Sequence, residues 1–298
     1  MSTTSVSRWH AAILILLILL VPCGSFAQPG QPPADAPPSE GPAIETVELN
    51  LIGLPTTTSV RRHHSYFRLT HRFARDLRRG DFGSLVEDLF ALDNGAVLGL
   101  EYRFGVTGNL QAGVHRTSLS KTIQFFGRYD GWRQTDRMPV ALSVLGSVEG
   151  LDNFQENYQP ALGATVSRRF GRHVALYATP VFVWETRAAE FLDDGHDHDH
   201  DLPGAGEDEH SGHEDTFFVG LGARVRIRPT AFLVGEYSPR LAGHDPNRAV
   251  WGVAIEKYTR GHTLQLNFTN AFGTTLAQFA RGGSDHDVYL GFNVTRKF

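Results

Sequence analysis

The densest run of chemically capable side chains lies between Glu190 and Asp215. His196, His198 and His200 alternate there with Asp197, Asp199 and Asp201, and His210 and His213 follow. Residues two apart share a face of an extended chain, so three imidazoles can approach one borderline metal ion. Imidazole with carboxylate suits Zn, Ni or Cu(II). His196, His198, His200, His210 and His213 are therefore candidate metal ligands, and no cofactor is expected beyond Zn, Ni or Cu held loosely by them. The segment also carries eleven acids and no Lys or Arg, and a plain hydrophilic surface loop of this composition explains it as well.

Other reactive groups are sparse. His115 is followed by Ser118 and Ser120, and Asp285-His286-Asp287 stands alone. Neither spacing is diagnostic of a hydrolase, and the chain has no GxSxG, P-loop or HExxH motif. The expectation is a protein that is not an enzyme. One Cys among 298 residues excludes a disulfide framework and a Cys-rich metal module. A net charge of -4 offers no electrostatic case for nucleic acid. That average hides a contrast. Without Arg8 of the leader the charge is -5, and setting aside the eleven acids of the His-rich segment leaves +6.

The elements that carry these residues alternate with period two, the mark of strands. Leu98, Leu100, Tyr102 and Phe104 share one face, and Gly99, Glu101 and Arg103 the other. Phe217, Val219, Leu221, Ala223, Val225 and Ile227 oppose Phe218, Gly220, Gly222, Arg224, Arg226 and Arg228. The pattern marks twelve strands, near 66–74, 97–105, 109–117, 120–130, 139–149, 158–170, 173–184, 216–228, 231–240, 249–259, 262–270 and 286–298. Connections sort mostly by parity, with the short gap after the third strand as an exception. Short turns such as Gly171-Arg172 and Arg260-Gly261 alternate with long loops such as 75–96, 185–215 and 271–285. An up-and-down transmembrane barrel sorts its loops this way, with short turns on the periplasmic side. Strands can span lipid only as a closed barrel, because every backbone N–H and C=O must pair. The second face, rich in Gly, Ser, Thr, Arg, Glu and Asn, suits water or a polar lumen better than a packed core. Arg68, Arg72, Glu101, Arg103, Arg169, Arg224 and Arg226 are the lumen-lining candidates. In an open lumen they favour anions. In a narrow barrel the arginines would pair with Glu101, Glu149 and Glu256 and fill it.

The two ends of the chain agree with export. Ala11 to Val21 forms a short apolar run, and Ser25-Phe26-Ala27 supplies small residues for cleavage after Ala27. Residues 1–27 read as a signal peptide, 28–45 as a Pro-rich disordered linker, and 46–298 as the barrel with its long His/Asp-rich loop 188–215. The last strand alternates Val288, Leu290, Phe292 and Val294 toward Phe298, like the terminal strands read by the barrel-assembly machinery. Ser84-Leu85-Val86-Glu87 has capping-box spacing and suggests a short helix in the first long loop.

Several words of the sequence resemble a bacterial β-barrel family designated domain of unknown function 5777. They are Leu69-Thr70-His71-Arg72-Phe73, Leu89-Phe90-Ala91-Leu92-Asp93-Asn94, His262-Thr263-Leu264-Gln265-Leu266-Asn267-Phe268-Thr269-Asn270 and Leu290-Gly291-Phe292-Asn293-Val294-Thr295-Arg296. The words fall in matching order over most of 46–298 and leave out the His-rich loop. The resemblance implies an outer-membrane barrel and brings no catalytic or binding residues with it. The expectation is thus an all-β transmembrane barrel of the bacterial outer membrane. Its partners are the lipid bilayer and the assembly machinery, and not nucleic acid. It acts as a passive or gated channel for small polar solutes with metal capture at the external loop, or else as a narrow, non-conducting barrel that binds or supports at the surface.

Overall fold

The structure, a computed structural model, describes residues 42–44, 47–79, 95–186, 214–243, 248–284 and 286–298. Twelve antiparallel strands form one closed sheet. They are β1 (Ser65–Asp76), β2 (Ala96–Gly105), β3 (Leu110–Thr117), β4 (Ile123–Trp132), β5 (Ala141–Gly150), β6 (Glu156–Phe170), β7 (Val174–Thr186), β8 (Glu214–Arg228), β9 (Ala231–Ser238), β10 (Val250–Thr259), β11 (His262–Thr269) and β12 (Tyr289–Lys297). Each strand pairs with its neighbours in sequence, and β12 returns to β1 with Val294 opposite Leu69. β9 extends past Pro239 as Arg240–Ala242, still along β8. Closure leaves no strand edge unpaired, which is what a hydrocarbon surrounding demands.

The alternation places the side chains as expected. On β2, Leu98, Leu100, Tyr102 and Phe104 face outward at 38–46% exposure, while Glu101 and Arg103 are each 5% exposed inside. The same inversion runs around the wall, with Leu162, Leu233, Ile255, Leu264 and Leu266 about half exposed. Among the described residues no helix is long and apolar enough to cross a membrane.

Both ends of the barrel sequence, Ser65 and Lys297, lie at the end of the short turns. Two of those turns need a left-handed residue, and glycine supplies it at Gly171 (φ 58°) and Gly261 (φ 83°). The strand ends at Asp76, Ala96, Thr186, Glu214, Thr269 and Tyr289 lie at the opposite end. The expected signal peptide, nearly all of the linker, the Ser84–Glu87 capping box and the His-rich loop up to His213 fall outside the described residues, while Glu214 and Asp215, expected in that loop, begin β8.

Candidate functional site

The interior of the barrel is where polar side chains converge. Strand alternation aims Arg68, Arg72, Glu101, Arg103 and Arg224 inward, each 5% exposed or less. Arg103 Nε lies 2.5 Å from Glu101 Oε1, Arg128 Nη2 2.8 Å from Asp130 Oδ1, and Arg224 Nε 3.1 Å from Glu256 Oε1. Arg72 donates to Asn293 Oδ1 at 3.0 Å. His115 sits 3.9 Å from Glu101 and 3.3 Å from the Thr274 hydroxyl. Arg226 stands at the short-turn mouth, where it donates to the carbonyls of Arg172, Pro229 and Pro42. Arg169, near the same end of β6, exchanges backbone hydrogen bonds with the Gln134 side chain.

The lumen is not open. Residues 47–60, to which sequence reading gave no strand, enter it from the short-turn end, reverse near its middle and leave by the same end into β1. The reversal is a tight hairpin: Leu51 N donates to the Leu54 carbonyl at 2.7 Å and Thr56 N to the Leu49 carbonyl at 2.9 Å. At the tip, the amides of Ile52, Gly53 and Leu54 donate to the Glu236 carboxylate at 3.0–3.1 Å. Three successive N–H groups on one anion make a backbone nest. The carbonyls are held just as closely. Arg68 and Asn293 donate to Ile52 O, Gln265 to Leu51 O at 3.0 Å, and Arg224 to Asn50 O at 2.9 Å. Nearer the mouth, Lys297 donates to Val47 O at 3.1 Å, and Tyr66 and Thr295 donate to the Glu48 carboxylate.

Apolar contacts complete the fill. Leu51, Ile52 and Leu54 are at most 1% exposed and join a cluster with Tyr177, Val181, Phe218 and Val250. Each such side chain contributes roughly 1.5–3 kcal/mol when removed from water. The inner face of β7, with Ala175, Tyr177, Val181 and Val183, is therefore a packed core and not a water-lined wall. This corrects the expectation of a uniformly polar inner face, and the reason is that part of the chain itself occupies the space.

From the long-loop end a second element descends. A short helix, α1 (Leu276–Arg281), is buried along its whole length inside the barrel. Thr275 caps it reciprocally with Gln278, and Arg281 reaches Gln159 at 2.8 Å and Glu149 at 3.5 Å. The Phe279 ring lies so close over Gly53 that a Cβ there would collide with it. Plug tip and helix thus meet in the middle. Free space survives beside them as a cavity of about 30 Å³ bordered by Asn50, Arg103, His115, Arg128, Ser147 and Thr274. That is room for about one water.

The ion pairs that sequence reading set out as the filled-barrel arrangement involve Glu101, Glu149 and Glu256 here, with Arg103, Arg281 and Arg224 as partners. Arg281 and the hairpin were not foreseen. For α1 the signal was present as Thr275-x-x-Gln278, a capping box inside a long loop. The metal candidates His196, His198, His200, His210 and His213 lie outside the described residues.

Residues 48–298 match the family described as "Membrane bound beta barrel domain (DUF5777)". Among curated proteins none matches. Among solved structures the chain is similar to the NanC porin at 6% identity, covering 79% of this chain and 98% of that one, with a TM-score of 0.48. It is similar to the KdgM porin in complex with disordered oligogalacturonate at 7% identity, 79% and 98% coverage and a TM-score of 0.47. For Omp33 of Acinetobacter baumannii the values are 9% identity, 80% and 100% coverage and a TM-score of 0.40. No solute or partner is carried over from these proteins.

Proposed function

We propose that this chain, which belongs to the membrane-bound β-barrel domain family (DUF5777), is an outer-membrane barrel for gated passage of small polar solutes, closed at rest by its own residues 47–60. One observation carries the reading: the lumen is filled by a segment that enters and leaves at the same end. Its withdrawal breaks side-chain contacts but unpairs no strand of the wall. A barrel stopped only by its wall residues would have no such removable part.

The reading includes export with cleavage after Ala27, short turns and both chain ends in the periplasm, and assembly through the strand ending in Phe298. It also includes capture of Zn, Ni or Cu by the external His-rich loop. The ion-paired interior supports the second reading, a non-conducting barrel whose loops bind at the surface.

Planar-bilayer recording separates the two. The folded wild-type chain is expected to give rare steps and the Glu236→Ala variant frequent ones, because the three tip amides lose their acceptor. Silence from both, with heat-modifiable gel mobility showing folded barrels, would select the non-conducting reading.

A further inference from the structure

The contacts around the hairpin are those of a binding site. The wall formed by β8 to β12 and β1 meets residues 47–56 chiefly at their main chain: Glu236 takes three amides, while Arg68, Gln265, Asn293 and Arg224 take carbonyls. Outside the tip, Glu48 and Asn50 also make polar side-chain contacts with the wall, but the apolar side chains of the tip are read by size. Leu54 lies against Gly220, where a Cβ would come within 2.5 Å of its Cδ2, and Ile52 lies against Gly252, where a Cβ would come within 2.9 Å of its Cδ1. Leu51 fits against Gly222 in the same way. Glycine on a strand interior marks a close approach of another group. Three of them set opposite three apolar side chains make sockets that the wall does not need for its own pairing.

We infer that the lumen wall is a peptide-binding site, specific for a reverse-turn loop of the pattern apolar-apolar-Gly-apolar, and that residues 47–56 are its occupant in cis. The ligand class is a polypeptide turn offered from the short-turn end, recognised by backbone hydrogen bonds to Glu236 and by the three glycine-backed sockets. The inference rests on the hairpin being removable, as in the gated reading, but not on whether the emptied barrel conducts.

The test uses the full chain carrying Leu51→Asp and Leu54→Asp, which places charges in apolar sockets and empties the wall without altering it. A fluorescent peptide of residues 44–60 is titrated into this protein in detergent and followed by anisotropy. Saturable binding is expected, at least about tenfold tighter than to the wild-type chain, whose site is filled. Adding Glu236→Gln to the emptied barrel should weaken it by about tenfold or more. A peptide with the same two Asp substitutions should not bind. Equal uptake by wild type and variants, or no binding to a variant shown folded by heat-modifiable mobility, would overturn the inference. Should the double variant fail to fold, Gly53→Pro empties the site differently, by removing one of the amides that Glu236 accepts. Failure of both to fold would also overturn it, since the hairpin would then be part of the wall's own stability. Conductance recorded on the same samples keeps the two proposals apart: binding without steps rejects the channel alone, and steps without binding reject the peptide site alone.

Discussion

Arg224 and Glu256 show how the interior carries charge. Both side chains are fully buried and 3.1 Å apart, and Arg224 also holds Asn50 O of the hairpin. Desolvating two ions is costly, and removing one of a buried pair leaves the other uncompensated. Glu256→Gln is therefore expected to destabilise the barrel by about 3–5 kcal/mol. Replacing both residues with Met should recover most of that loss, with the temperature of heat modification on gels as the measure and the double-mutant comparison as the control. That Arg68, Arg72, Glu101, Arg103 and Arg224 face inward was legible from parity alone. Which group each arginine meets was not: Arg103 finds Glu101 on its own strand, whereas Arg224 finds Glu256 on another strand and the Asn50 carbonyl on a segment without one. The His-rich loop makes a separate prediction from composition. A peptide spanning 190–215 should release or take up heat with Zn²⁺ at micromolar concentration, and none at high micromolar metal rejects capture.

Among the elements, the strands were readable because each one alternates by itself. Phe217 to Arg228 shows its two faces without knowledge of any neighbour. The hairpin is different. Val47, Leu49 and Leu51 alternate too, and Ile52-Gly53-Leu54-Pro55 reads as a turn, but nothing local says that the face they need is the inside of the barrel. Its fit is written in Gly220, Gly222 and Gly252, far along the chain. Gly222→Val should test that fit. Valine suits a strand, so the wall should form, while the added methyls meet Leu51 and keep the hairpin from seating. Protease added to detergent-folded protein should then cut within 47–60, where the wild type resists. Equal resistance would mean that the hairpin seats without its socket. Helix α1 is the intermediate case: Thr275-x-x-Gln278 carries a local signal that was not read, and its burial inside the lumen depends on Arg281 finding Gln159 and Glu149 across the barrel.

For the molecule as a whole, two opposite solvents act on one sheet. The outer band of Leu, Ile, Val and aromatic side chains needs hydrocarbon, and an apolar surface this extensive would drive aggregation in water. The inner face needs polar partners, which the hairpin and α1 supply from the same chain. The closed state is thus stabilised from both sides, and the outer requirement should vary with depth while the inner one should not. Ile255, midway along β10 and opposite Leu266, is 57% exposed, and Val106 lies outward at the turn after β2. Ile255→Arg should cost about 2–4 kcal/mol and Val106→Arg at most about 1 kcal/mol, because the penalty for a charge on the lipid face falls toward the interface. The fraction of heat-modifiable protein after folding into liposomes measures both. Equal losses at the two positions would contradict a membrane-spanning wall with β10 centred in the bilayer. A small loss at both would place this face in water.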